Sequence, residues 1–332
     1  MRISIYALFL LFASLLNGCG GGGGGSSSSS TSTSCTQSSP CVFSTGVTMN
    51  YLRNMFFDAT TNLLFVVDGD TNTCTANSYG HIRVFNGETG AYQNTYGGAT
   101  DVICTNGVAV LYDNLGNWNV FTSGTTPIAN TAGLINMSTG VYTNRAVISQ
   151  AGYGLTVANN KLFMAYDNLG TVVVYNNSLP TPSLVPLVPA IAPGNGPTGL
   201  AYDSAGYVYV TTFTGGNAGV SKINTTSYAV SAFANSNLFD KPNGIAVRST
   251  PREVYVVNTG TTESQAGILK ISTDGNGNST GVSTFMSASD LSSKLCSPVG
   301  IAISGNNLFI ANGKCPTTGN NAYASTILKV AL

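Results

Sequence analysis

The sequence predicts an all-β fold, a six-bladed β-propeller with four-stranded antiparallel blades. Three observations predict it. A short segment of the form Pro-x-Gly-[Ile/Leu]-Ala, followed by an apolar strand-like run, recurs along the chain. Its equivalent positions fall 45 to 56 residues apart, with several short β-rich runs in each interval, which is how a propeller blade repeats. Charged residues make up only 8% of the chain. Gly, Ser, Thr and Asn carry the polarity instead, and they favour turns and strands over long helices.

Residues 1–18 read as a signal peptide. A basic start at Arg2 precedes an apolar run, Ile3 to Leu16, too short to span a bilayer comfortably. Leu16-Asn17-Gly18-Cys19 follows and resembles the bacterial lipobox. That resemblance implies that Cys19 is lipidated and becomes the first residue of the mature chain. Gly20 rather than Asp follows it, which by the same resemblance implies the outer membrane. The expected location is therefore the cell envelope, lipid-anchored, with the membrane as one partner. Residues 19–40 form a Gly/Ser-rich tether that buries nothing and is expected to stay a flexible coil.

Residues 41–332 are expected to form the propeller. Its clearest unit is Gly196-Pro-Thr-Gly-Leu-Ala-Tyr-Asp203 with Gly206-Tyr-Val-Tyr-Val-Thr211. Lys241-Pro-Asn-Gly-Ile-Ala-Val247 and Ser297-Pro-Val-Gly-Ile-Ala-Ile303 repeat it. Weaker copies begin near Arg53 and Gly152. The echo of Tyr112-Asp-Asn-Leu-Gly116 in Tyr166-Asp-Asn-Leu-Gly170 sets the remaining unit, with Asp101–Cys104 as its first strand and Val108–Leu111 as its second. Gly and Ala in the innermost strands would let blades crowd the axis. Pro just before the strand costs no ladder hydrogen bond. The last unit is one strand short, so Cys41–Thr48 is expected to supply its outer strand and close the ring. These units resemble NHL-type repeats and gluconolactonase-like propellers from about Arg53 to Leu332. The resemblance implies the fold and leaves the activity open.

Six cysteines remain once Cys19 is set aside. None has the spacing of a zinc or redox pair. An even number in an exported chain reads as disulfides, and the propeller layout suggests Cys296–Cys315, Cys74–Cys104 and Cys35–Cys41.

Two rings of side chains are expected at the ligand face. One comprises Arg53, Ala99, Tyr153, Thr198, Asn243 and Val299, at the starts of inner strands. The other comprises Asp68, Tyr112, Tyr166, Thr212, Asn258 and Asn312, at the ends of second strands. The gluconolactonase-like resemblance implies a divalent ion held by Asn, Asp and Glu. Asn243, in Pro242-Asn243-Gly244-Ile245-Ala246, matches that pattern, whereas Thr198 and Val299 depart from it. Only Asp68 offers a carboxylate in the rings, and hard cations want more. No metal and no cofactor is therefore expected, with calcium the minor possibility. The single histidine, His81, lies away from the axis. No nucleophile elbow or triad is visible, so the reading leans away from an enzyme and names no catalytic residue. Net charge is +0, which excludes nucleic acid, since its binding rests on clustered Lys and Arg. The leading expectation is a binding or scaffold module for a small molecule, glycan or protein. A metal-dependent lactonase or hydrolase is the alternative, and a passive structural surface protein the third.

Overall fold

A computed structural model describes residues 35–36, 39–43, 47–69, 80–97, 105–112, 118–125, 130–137, 139–148, 152–176, 192–193, 196–213, 218–288, 295, 297–313 and 325–332. All of them belong to one unit, Cys35–Leu332. The signal peptide, Cys19, most of the tether, Ala99, Cys74, Cys104, Cys296 and Cys315 lie outside the described residues. So do the disulfides proposed for those cysteines.

The chain opens with β1 (Cys41–Val42) and continues into a four-stranded antiparallel sheet, β2 (Tyr51–Asp58), β3 (Leu63–Gly69), β4 (Gly80–Asn86) and β5 (Tyr92–Tyr96). The second sheet is β6 (Gly107–Tyr112), β7 (Trp118–Thr125), β8 (Asn130–Asn136) and β9 (Tyr142–Ile148). The third has β10 (Leu155–Ala158), β11 (Lys161–Tyr166) and β12 (Thr171–Asn176). A fourth comprises β13 (Pro197–Tyr202), β14 (Tyr207–Thr212), β15 (Gly219–Asn224) and β16 (Val230–Asn235). A fifth comprises β17 (Pro242–Ser249), β18 (Arg252–Asn258), β19 (Gly267–Thr273) and β20 (Ser279–Ser287). The last is β21 (Pro298–Ser304), β22 (Asn307–Asn312) and β23 (Ile327–Ala331), with β1 as its outer strand.

This is an all-β propeller, and it corrects the expected architecture of six four-stranded blades. Among the described residues the structure forms five such blades, not six. Among the described residues the sheet β10–β12 stops at three strands. Counting units by the spacing of inner strands could not detect this.

A second correction concerns the frame of the second sheet. Its innermost strand is β6, which the sequence reading took as the second strand; Asp101–Cys104 lies outside the described residues. The Tyr-Asp-Asn-Leu-Gly echo misaligned the two units. Tyr112 ends a first strand, whereas Tyr166 ends a second.

Closure of the last blade is antiparallel and brief. Cys41 and Val42 pair with Lys329 and Leu328 of β23, and Phe43 N–H extends this to Ile327 O at 2.7 Å. A Cys35–Cys41 disulfide fixes the entry, and Ala331 N–H donates to Cys35 O at 2.8 Å. Two residues thus stand where the sequence suggested a strand of eight.

Burial follows distance from the axis. The second strands are enclosed on both faces by neighbouring sheets, so they read as unbroken apolar runs, such as Leu-Phe-Val-Val in β3 and Leu-Phe-Met-Ala in β11. The outer strand β5 is largely exposed and polar. Between the last blade and the first, Phe43, Met49, Leu52, Leu64, Phe85, Phe309 and Ile327 form one buried cluster. Burial of apolar surface at about 25 cal/mol per Å² makes such interfaces the main source of cohesion. No helix among the described residues is long and apolar enough to cross a membrane.

Candidate functional site

The inner strands β2, β13, β17 and β21 each carry a β-bulge near their start. Pairing shifts between Leu52 and Met55, Pro197 and Leu200, Pro242 and Ile245, and Pro298 and Gly300. A bulge leaves residues without ladder partners and re-aims their side chains. The residues released are Arg53 and Asn54, Thr198, Asn243, and Val299. All of them line one cavity of about 150 Å³, joined by Tyr51, by Asn106 just before β6 and by Tyr153 just before β10. Each of the six sheets therefore sends a residue from the start of its innermost strand to the same space.

Glycines make that convergence possible. A Cβ at Gly154 would stand 2.2 Å from Thr198 O, one at Gly199 2.3 Å from Asn243 O, and one at Gly300 2.4 Å from Arg53 O. These are distances no side chain tolerates, so the Pro-x-Gly pattern encodes close approach of strand to strand. The variable residue between Pro and Gly is the one turned to the axis.

Of the first expected ring, the structure brings Arg53, Tyr153, Thr198, Asn243 and Val299 together. Asn106 represents the second sheet in the cavity, and the misaligned frame hid it. Thr198 is 5% exposed. Its hydroxyl is engaged with Thr211 Oγ1 at 3.1 Å and Pro242 O at 3.2 Å, so it serves the hub. Arg53 Nη1 donates to Asn106 Oδ1, and the guanidinium carbon lies 5.3 Å from the centre of the Tyr51 ring. Burial lowers the Arg53 pKa from its ordinary value, while Tyr51 and Tyr153 act to raise it. Tyr153, 36% exposed, has its hydroxyl pKa raised by burial and then by Asp167, with Arg53 opposing.

None of the second expected ring lines this cavity. Asp68 is fully buried. It accepts from the Asn50 and Tyr51 N–H groups at 2.9 and 3.0 Å and pairs with Arg83 Nε at 3.1 Å. Asn258 accepts from Asp240 N–H at 3.2 Å and donates to Leu238 O at 2.6 Å. Thr212 donates to Gly219 O at 3.4 Å. The Tyr166 and Tyr175 hydroxyls share a bond of 2.6 Å. Asn312 is fully buried, and the Tyr112 hydroxyl donates to Asp58. Asp68 and Asn258 hold the loop that leads into the neighbouring inner strand. Buried backbone groups need such partners, and sequence alone does not separate that role from ligand binding.

Asp167 was missed by sequence reasoning. It opens a 3-10 turn, Asp167–Leu169, directly after β11. Its Oδ1 is buried and lacks a hydrogen-bond partner. Burial raises its carboxyl pKa, and the Asn168 N–H acts the other way. The available signal was the repeated Tyr-Asp-Asn-Leu-Gly itself.

A divalent cation does not fit this donor set. The described lining residues offer amides, hydroxyls and a guanidinium, but no carboxylate. Among the described residues no three His, Cys, Asp or Glu side chains are grouped to hold a metal. His81 sits in β4, with Nδ1 3.3 Å from Gly97 O, outside the cavity.

No protein-family model matches this chain, and no curated protein does. Solved structures do. One is the PQQ-bound aldose sugar dehydrogenase of Streptomyces coelicolor, with a TM-score of 0.60 at 14% identity over 87% of this chain and 96% of that one. A second is the calcium-binding protein regucalcin from Agrobacterium tumefaciens, at 0.58 and 10%, over 86% and 90%. A third is a gluconolactonase from Xanthomonas campestris, at 0.53 and 14%, over 89% and 90%. At such identities the likeness is one of fold, the β-propeller.

Proposed function

We propose that this chain is a cell-envelope protein, anchored through lipid on Cys19, whose axial cavity binds a small oxygen-rich ligand of the sugar or sugar-lactone class. The observation that carries this reading is the convergence of six inner strands on one polar cavity. Its size matches a single six-membered ring, since a cavity of about 150 Å³ can hold benzene. Asn54 and Asn243 bring amides, Tyr153 a hydroxyl and Tyr51 an aromatic edge. These are the groups that recognise hydroxyls and ring faces.

A lactonase-type hydrolase is the second reading, and the comparisons favour it over a scaffold role. Proteins named gluconolactonase and aldose sugar dehydrogenase share the fold over most of their length. A general base is what such a reaction would need. The described cavity lining has no carboxylate or imidazole. Asp167 is the specific observation in its favour, because an orphaned carboxyl oxygen with a raised pKa beside Tyr153 suits proton transfer.

Calorimetry of the full chain against glucose and glucono-lactone tests the binding reading. Saturable heat with either sugar, lost in Asn243→Ala, is expected. Absence of heat with both overturns it. Acid release from the lactone above the spontaneous rate, abolished in Asp167→Asn, would establish the hydrolase; no acceleration removes that second reading.

A further inference from the structure

We propose that the axial cavity takes a ligand bearing a carboxylate, a uronate-type monosaccharide, and that the Arg53 guanidinium is its docking group. The inference rests on the reading of the cavity as a sugar-sized site and goes further by assigning the ligand's charge.

Arg53 is the only ionic side chain lining the cavity among the described residues. It forms no ion pair with a described carboxylate, and Asp68, the one carboxylate of the second expected ring, is buried and paired with Arg83. Its Nε is buried and has no hydrogen-bond partner. Nη1 is committed to Asn106. The guanidinium rests on the Tyr51 ring. A cation removed from water without a counter-charge is strongly disfavoured, and a donor left unmade costs about 1–3 kcal/mol. An anion entering the cavity supplies the missing counter-charge.

The arrangement also selects the kind of anion. With Nη1 held by Asn106 and Nε enclosed, Nη2 is the guanidinium nitrogen left to meet a ligand. Its N–H groups would donate to a carboxylate oxygen in a charge-assisted hydrogen bond. One positive charge, surrounded by neutral amides and hydroxyls, balances a singly charged carboxylate and leaves a phosphate dianion in excess. Asn106 and Tyr51 hold the guanidinium in place before the ligand arrives, which reduces the ordering cost of binding. A cation at the same spot would face Arg53 directly, and this sets the site apart from the divalent-ion centre that the propeller resemblance implies.

Glucuronate and glucose differ only at the carboxylate and form the matched test pair. Titration of the full chain with glucuronate, glucose and inorganic phosphate is read by calorimetry. Glucuronate is expected to bind about tenfold tighter than glucose or more, the range of a charged hydrogen-bonded pair, with phosphate weaker than glucuronate. Arg53→Met should remove the preference for glucuronate over glucose, whatever it does to glucose itself, and Arg53→Lys should keep part of that preference. Equal binding of the two sugars by the unmodified chain overturns the carboxylate assignment while the sugar reading stands. So does tighter binding of phosphate, or a preference that survives in Arg53→Met. Failure of both sugars to bind overturns the sugar reading and this inference with it. The comparison on the unmodified chain decides the matter even where Arg53→Met does not fold.

Discussion

Single residues at strand starts and strand ends do opposite work in this propeller. At the starts, a bulge frees Arg53, Asn54, Asn243 and Val299 from the ladder and turns them to the axis. At the ends, Asp68 and Asn258 accept hydrogen bonds from backbone that leads into the neighbouring inner strand. Val299 apart, both sets are polar residues bordering apolar runs, so the sequence shows them alike. Asn243 and Val299 are legible because Pro-x-Gly marks the variable residue between its two fixed neighbours, Arg53 only through a weaker copy of the repeat, and Asn54 carries no such mark. The second set is not separable by sequence, because burial is decided by which loop folds over a strand end, and no local pattern records that. Asp68 makes the difference measurable. Replacing it with Ala strands the Arg83 guanidinium and two N–H groups in the interior, and breaking a buried pair in this way costs about 3–5 kcal/mol. Urea unfolding should show a loss of that size for Asp68→Ala and a smaller one for Asp68→Asn, which keeps an acceptor. A loss below about 1 kcal/mol in Asp68→Ala would mean that the carboxylate is not structural.

Among the elements, inner strands were the most legible because their glycines and prolines are geometric necessities. Gly199 presses on the Asn243 carbonyl, and Gly300 on the Arg53 carbonyl. A methyl group at either site has backbone rather than a flexible side chain in its way. Gly199→Ala is therefore expected to destabilise by about 1–3 kcal/mol or more, the range for overpacking a tight site. It should also weaken ligand binding, since the displaced strand carries Asn243. A thermal melt and a calorimetric titration of the same variant check both, and an unchanged melt would refute the close-approach account. The outer strands were less legible. They face solvent at the rim, as β5 does, so polar residues and prolines cost little there and the sequence loses its alternation. That is why the full length of the closing strand failed. The second sheet failed for another reason. The Tyr-Asp-Asn-Leu-Gly echo starts at the end of a first strand in one unit and of a second strand in the next, and first and second strands share the same apolar composition.

At the scale of the whole molecule, the chain is unusual in how it stabilises a large all-β fold with few charges. It has 13 basic and 13 acidic residues against 16 tyrosines, and many of those tyrosines are built into the interfaces between blades. Burial raises the hydroxyl pKa of Tyr112 to about 12, helped by its bond to Asp58. Burial likewise raises Tyr166, Tyr175, Tyr209 and Tyr255. The consequence for stability has a definite sign. A tyrosine free in the unfolded chain ionises near pH 10, whereas these stay protonated in the folded one. Below about pH 10 both states hold the proton, and the contribution to stability is complete. As pH rises through 10 toward 12, the unfolded chain sheds protons that the folded chain keeps, so stability falls with pH. The carboxylates should matter less. Glu253 has its pKa lowered overall, because bonds from Lys270, Tyr255 and Arg248 outweigh the raising effect of burial. Its contribution is lost only below the ordinary carboxylate range. Urea midpoints measured across pH should therefore be flat from about pH 6 to about pH 9 and decline steeply between about 10 and 12. Ultraviolet absorbance of tyrosinate should lag behind that of free tyrosine until the fold gives way. Tyrosines titrating normally in the folded protein, with no alkaline decline, would mean that the blade interfaces admit water and that the tyrosines do not hold them together.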